Sequence, residues 1–162
     1  EGKPAYMIIK LNNLVDPLMI KKLYQASNAG VKIQLIIRGI CSLIPGIKSV
    51  SENIEVVSII DRFLEHSRLM VFCNNGEELY YLTSADWMSR NLDRRIEVGC
   101  PIYDKTLQQT IRKILDLQLA DNTKARLINH KKSNVYKPID KKNKVRSQIS
   151  IYNYFKNQLA NS

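Results

Sequence analysis

YMIIKLNNLVDPLMIKKLYQASNAGVKIQLII, residues 6–37, is the stretch that decides the fold. It opens on an apolar run, Tyr6 to Leu11, that stops at Asn12-Asn13, the pattern of a buried strand leading into a turn. Asp16-Pro17 then offers a helix N-cap and a first-turn proline. Leu18, Ile20, Leu23, Tyr24 and Ala26 follow before Asn28 and Gly30 halt the helix. Val31 to Ile37 is again apolar and rich in β-branched residues, which reads as a second strand. A strand, a helix and a strand in this order pack with the two strands parallel and the crossover right-handed, so the stretch specifies a βαβ unit.

Working outward, Arg38 to Asn53 contains Gly39, Pro45 and Gly46 and reads as a long loop at the carboxyl end of a strand, where open α/β sheets bind ligands. Ile54 to Ile60 and Arg68 to Phe72 are further strands, and Asn74-Asn75-Gly76 turns the chain into another at Leu79 to Thr83. Arg95 to Val98 is expected to complete the sheet after an irregular Ser84 to Asp93, with Pro101 closing the sheet region. Asp104 to Leu119 carries Leu107, Ile111, Ile114, Leu115 and Leu119 at helical spacing, and Ile149 to Leu159 reads as a short amphipathic helix. The expected fold is α/β, a mixed sheet flanked by helices. Residues 1–120 would form the domain and residues 121–162 a basic, loop-like extension with a terminal helix packed on it.

A length of 162 residues with 44% hydrophobic and 25% charged residues suits one folded domain and excludes disordered and fibrous classes. No apolar run is long enough to span a bilayer, so a cytoplasmic setting is expected, with peripheral contact at the inner face of the membrane allowed. Cys41, Cys73 and Cys100 lie apart, without the close pairs of a zinc site or the even count of a disulfide framework, and are expected to be reduced and mostly buried. The chain begins without Met and runs almost at once into a strand, so a piece of a longer protein is expected.

The net charge of +10 implies an anionic partner. Most of it lies between Lys124 and Arg146, where nine Lys or Arg (Lys124, Arg126, Lys131, Lys132, Lys137, Lys141, Lys142, Lys144, Arg146) face one acid, Asp140. Two readings stay open for this strip: a solvated tail, or a docking surface for a polyanion.

Chemistry concentrates elsewhere. In Arg62-Phe63-Leu64-Glu65-His66-Ser67-Arg68 the alternation of an extended chain puts His66 and Arg68 on one face and Glu65 on the other. Downstream come Thr83-Ser84-Ala85-Asp86-Trp87-Met88-Ser89-Arg90-Asn91, then Arg94, Arg95 and Glu97. Trp87 and Met88 read as core packing. The ordered series of His-x-basic, strand, Ser-x-Asp and Glu resembles the half-site of the phospholipase D superfamily, whose usual form is His-x-Lys, Gly-Ser-x-Asn and a later Glu. Arg68 stands where Lys is usual, Thr83 where Gly is and Asp86 where Asn is.

Longer blocks narrow the resemblance. Leu35-Ile36-Ile37-Arg38-Gly39-Ile40-Cys41, the segment from Arg62 to Arg68, and Ser84 to Leu92 are similar to the C-terminal half-site domain of the polyphosphate kinase family, and Leu23-Tyr24-Gln25-Ala26-Ser27 and Lys144-Val145-Arg146-Ser147-Gln148 extend the likeness over nearly the whole chain. The resemblance implies reversible transfer of the terminal phosphoryl group of ATP to inorganic polyphosphate through a phosphohistidine on a preceding domain. Neither His66 nor His130 carries the motif of that nucleophile. It implies that His66 is the second-half-site histidine and that Arg38 binds nucleotide phosphate, with Arg95 a further phosphate contact. Arg68, Ser84, Asp86, Arg90 and Glu97 would support them, Asp86 and Glu97 by orienting His66 or arginines. No residue is expected to ligate metal directly, and Mg2+ would arrive with ATP, bound mainly outside this segment. Partners implied are ATP or ADP, polyphosphate, the preceding domains and other copies of a homo-oligomeric enzyme. The isolated segment is expected to be inactive.

Two other function classes suit parts of the sequence. One is a phospholipase-D-type phosphodiesterase or nuclease with two copies of His66 meeting across a homodimer. Arg68 in place of Lys, and the kinase-like blocks, count against it and against nucleic acid as a partner. The other is a non-catalytic polyanion-binding module using the basic strip.

Overall fold

In the computed structural model, which describes residues 2–131 and 133–160, one mixed seven-stranded sheet organises the chain. Glu1, Asn161, Ser162 and Lys132 of the basic strip lie outside the described residues. The strands are β1 (Tyr6–Leu11), β2 (Lys32–Ile37), β3 (Ile54–Ile59), β4 (Arg68–Phe72), β5 (Leu79–Thr83), β6 (Gly99–Ile102) and β7 (Ala125–Ile128). Their order across the sheet is β6-β5-β4-β1-β2-β3-β7. β1, β2 and β3 run parallel, and every other neighbouring pair is antiparallel.

The βαβ unit forms as its sequence dictates. Helix α1 (Pro17–Asn28) starts with Asp16 accepting a 2.9 Å hydrogen bond from the Met19 backbone N–H, and Pro17 occupies its first turn. Strand alternation divides the core. Ile9, Leu11, Ile33, Leu35, Ile37 and Val56 pack on the α1 side with Leu23 and Trp87. Ile8, Ile36, Val57, Val71 and Tyr80 pack on the other side, where Leu115 of α3 (Lys105–Ala120) lies. Both faces of the central strands are covered, which explains runs such as Leu35-Ile36-Ile37 that show no polar alternation. The exception is Lys10, 4% exposed on the α3 side, whose ammonium pairs with Glu65. Gln118 of α3 donates to the same carboxylate. Glu65 therefore does point away from the face expected to carry His66.

Several expectations need correcting. The last strand of the first half lies at Gly99–Ile102, not at Arg95 to Val98, where Ile96 is fully exposed. Pro101 sits inside this strand and does not end it. β6 is the edge of the sheet, the position where a proline's missing N–H costs no ladder bond. The segment beyond Asp121 is not an extension outside the sheet, since Ala125–Ile128 forms β7 against β3 before α4 (Ser147–Ala160). Ser84 to Asp93 contains a single helical turn, α2 (Ser89–Leu92), and among the cysteines only Cys73 is buried while Cys100 is exposed.

Candidate functional site

The topology gathers every chemically interesting segment at one edge of the sheet, meaning the rim formed by the carboxyl ends of β1, β2 and β3 and not an outer strand. Asn12 follows β1, Arg38 follows β2 and Asp61 follows β3, all at carboxyl ends of parallel strands. β4 is antiparallel to β1, so His66 just before it arrives at the same edge. β5 returns there to deliver Ser84 and Asp86, and Glu97 stands just before β6 at that edge.

A chain of hydrogen bonds connects Arg38, one of the expected phosphate contacts, to His66, the expected second-half-site histidine. Arg38 Nε donates to Asn12 Oδ1 at 2.5 Å, and the Asn12 backbone N–H donates to Asp86 Oδ1 at 2.8 Å. Asp86 Oδ1 also accepts from Arg68 Nε at 2.9 Å, and Arg68 Nη2 lies 3.4 Å from His66 Nε2. Asn13 Nδ2 donates to Asp86 Oδ2 at 2.9 Å while Asn13 Oδ1 accepts from the Ile40 N–H at 3.0 Å. The Arg38 loop is tied down further by Gly39 N–H, which donates 2.8 Å to the Asn12 carbonyl. A Cβ on residue 39 would stand 2.6 Å from Asn13 Oδ1 and 2.8 Å from the Asn12 carbonyl oxygen, so only glycine permits this approach.

Asp86 is only 3% exposed. Burial pushes its pKa up, but hydrogen bonds from Arg68, Asn13 and Asn12 outweigh burial and bring it down to about 2. It is thus ionised at neutral pH and holds the guanidinium of Arg68 beside His66, which is itself exposed. Glu97 serves different partners. It accepts from the Ser84 hydroxyl and, at 2.6 Å, from Asn91 Nδ2, and these bonds lower its pKa. Ser84 Oγ in turn accepts from the Val98 N–H at 2.9 Å, so Ser84 and Glu97 brace the turn before β6 and, among the described residues, make no hydrogen bond to the His66 imidazole. Arg90 and Arg95 are exposed, and Arg95 reaches Glu97 only through its charge.

Two open cavities flank the hydrogen-bond chain. One, of about 170 Å³, is lined by Arg38, Ile59 and the Asp61 to Glu65 loop. The other, of about 350 Å³, is lined by His66, Arg68, Ser84 and the apolar Leu82, Val98 and Cys100. A third cavity, lined by Gln34, Glu55, His130 and Lys137, contains none of the residues singled out at this edge. The sequence reading missed Asn12 and Asn13, taken there as a turn. The signal available was the pair of side-chain amides directly after the first strand of the βαβ unit, groups able to bridge neighbouring loops.

Comparison with known proteins decides the family. Residues 1–148 match the family model described as polyphosphate kinase C-terminal domain 2. This chain belongs to that family. It is 56% identical over 156 residues to the polyphosphate kinase of Vibrio cholerae, a match covering 96% of the chain and 22% of that protein. The crystal structure of polyphosphate kinase from Porphyromonas gingivalis superimposes with a TM-score of 0.96 at 46% identity, over 99% of this chain and 25% of that one. The chain therefore spans about a quarter or less of the relatives it matches. Nuc from Salmonella typhimurium, a phospholipase D family member, superimposes with a TM-score of 0.59 at 12% identity, which shows that this domain has the phospholipase-D-like fold. No helix among the described residues is long and apolar enough to cross a membrane.

Proposed function

We propose that this domain supplies one half of a composite site at which the terminal phosphoryl group of ATP is moved to and from inorganic polyphosphate, the covalent histidine being held by another domain of the same enzyme. The observation that carries the reading is the continuous chain Arg38–Asn12–Asp86–Arg68–His66, which fixes two guanidinium groups and an imidazole at one edge of the sheet. Phosphoryl transfer asks a protein to position and neutralise spread negative charge more than to do covalent work. Arg38 and Arg95 bind phosphate oxygens through their planar forks. His66 hydrogen-bonds the attacking or leaving phosphate oxygen and exchanges its proton. Arg68 positions His66, and Asp86 positions Arg68.

Mg2+ travels with ATP in this reading and finds no seat on these residues. Asp86 has both oxygens engaged by N–H donors, and Glu97 is held by Ser84 and Asn91. ATP as substrate implies a cytoplasmic setting, and assembly of the full-length enzyme into a homo-oligomer belongs to the same proposal.

The test uses the full-length enzyme with Arg38→Ala and, separately, His66→Ala. Each should lower kcat/KM for ATP by about a hundredfold or more, an amount typical of removing one group that acts on the transferring phosphoryl. Wild-type kinetics in both variants would sink the proposal. The domain alone should make no polyphosphate from ATP, and turnover by it would show that the nucleophile lies within this chain.

A further inference from the structure

The basic strip is not one surface once folded. Ile59 pairs with Ala125 and Val56 with Ile128, so β7 begins at the His66 edge and ends at the opposite one. Lys131 is carried to that far side. The chain then returns, with the Lys137 N–H bonded 2.8 Å to the Ala125 carbonyl, and residues 141–146 emerge beside Lys124 at the edge where Arg38 and His66 stand.

This returning segment is held in place. The Asn122 side chain donates 2.8 Å to the Asn143 carbonyl and accepts 2.9 Å from the Val145 N–H. Arg146 makes a two-pronged ion pair with Asp61, at 2.7 and 2.8 Å, which joins the segment to the wall of the Arg38 cavity. Asp140, the only acid in the strip, is spent on the Lys142 N–H and on Asn143 Nδ2. Lys141, Lys142 and Lys144 are exposed and have no carboxylate partner among the described residues, and neither does Arg62 across the Asp61 loop. Cations held on a fixed backbone without counter-charges form a surface that binds a linear polyanion by releasing its condensed counterions.

We infer that Lys141, Lys142 and Lys144, continued by Arg62 to Arg38, hold the outlying part of a long polyphosphate chain while its end occupies the transfer site. This inference rests on the proposed function and names the part of that substrate the domain grips outside the chemistry. Charge at a distance from the reacting phosphoryl adds affinity without altering the transition state, so it acts on KM and on dissociation between turnovers, not on kcat. Only chains long enough to leave the Arg38 cavity benefit.

The experiment compares the full-length enzyme with its Lys141→Ala/Lys142→Ala/Lys144→Ala form, a matching triple Lys→Arg form and Lys131→Ala. Three readouts are used: direct binding of long-chain polyphosphate across a salt series, binding to vesicles of anionic phospholipid, and kinetics of ATP formation from MgADP with long or short polyphosphate. The Ala form should bind long chains about tenfold more weakly, with the slope of log K against log salt reduced by roughly two for three lost contacts. Its kcat should hold, its KM for short chains should move far less than its KM for long ones, and the Arg form and Lys131→Ala should resemble wild type. Unchanged long-chain binding, or equal losses for short and long chains, overturns the inference. So does a loss confined to vesicles of anionic phospholipid, which would make the lysines a membrane contact. Because binding is measured without turnover, wild-type kinetics in both Arg38→Ala and His66→Ala would remove the transfer-site proposal and leave this outcome readable.

Discussion

Asp86 and Asp121 are both sealed in at the same edge of the sheet, 3% and 0% exposed, and both have their oxygens saturated by hydrogen-bond donors. Their partners differ. Asp121 Oδ1 accepts from three successive backbone N–H groups, of Thr123, Lys124 and Ala125, and Oδ2 from the N–H and hydroxyl of Ser147. It fastens the start of β7 to the start of α4 and makes no direct ion pair among the described residues, Arg146 feeling it only through its charge. Asp86 takes its bonds from Asn12, Asn13 and Arg68, and through Arg68 it reaches His66. The same device, a buried carboxylate whose desolvation is offset by N–H donors, closes the fold in one place and aims a side chain at solvent in the other.

The largest effect should come from Asp121→Ala. Five donors lose their acceptor at a site without solvent, and at 1–3 kcal/mol for an unsatisfied buried group, part of it relieved by relaxation, a loss of about 4 kcal/mol in stability is expected. Urea unfolding measures it. Activity of the full-length enzyme should fall only as the folded fraction falls, and a catalytic defect in fully folded protein would show that Asp121, too, serves the site.

Gly39→Ala comes next and tests whether the site's rigidity is local. The added methyl meets the Asn12 carbonyl, a backbone atom that cannot swing aside, so the Arg38 loop must lift at a cost of roughly 2 kcal/mol. KM for ATP should rise with it while the His66 side of the network keeps its geometry. If ATP kinetics stay wild type, the Asn12–Asn13 tie to the Arg38 loop is dispensable.

Asp86→Asn should cost less stability than Asp121→Ala but lower activity by roughly ten- to a hundredfold, the usual range for an outer group that orients an acting one. It also probes two departures from the phospholipase D pattern. Arg68 in place of Lys and Asp86 in place of Asn are bonded to each other at 2.9 Å, so the exchanges compensate and leave the pair neutral where Lys with Asn would be cationic. Arg68→Lys combined with Asp86→Asn should therefore be less impaired than the two single losses combined would make it.

That coupling was not legible in the chain, although each residue was. The βαβ unit, the hairpin at Asn74-Asn75-Gly76 and α3 were readable because apolar periodicity and capping residues agree there. Two strands were not. β6 contains Gly99 and Pro101, which argue against a strand anywhere but at an edge, and β7 is four residues, Ala-Arg-Leu-Ile, beside a lysine-rich loop. At the site, His66 and Arg68 could be placed on one face from alternation alone. The joining of Arg38 to them could not, because Asn12 and Asn13 are bridging amides only once β2, β1, β4 and β5 lie in that order across the sheet.

The smallest effect expected is one of pH, and it separates the two aspartates most finely. Asp86 in the folded protein titrates at about 2 against an ordinary value of 3.8. A carboxylate with a depressed folded pKa contributes stability that is fully present above the unfolded value and is lost as pH falls through the window between the two. Wild type should therefore hold its full margin over Asp86→Asn at about pH 5 and lose it progressively below about pH 4, since the variant has no proton to take up there. Asp121 is also depressed, by the N–H groups of Lys124, Ser147 and Thr123 working against its burial, so Asp86→Asn should keep a residual acid limb that comes from Asp121 and the remaining carboxylates. Urea midpoints across that range would measure both. A margin between wild type and Asp86→Asn that is the same at about pH 5 as near pH 3 would mean that Arg68 does not hold Asp86 ionised, and the positioning role assigned to that pair would go with it.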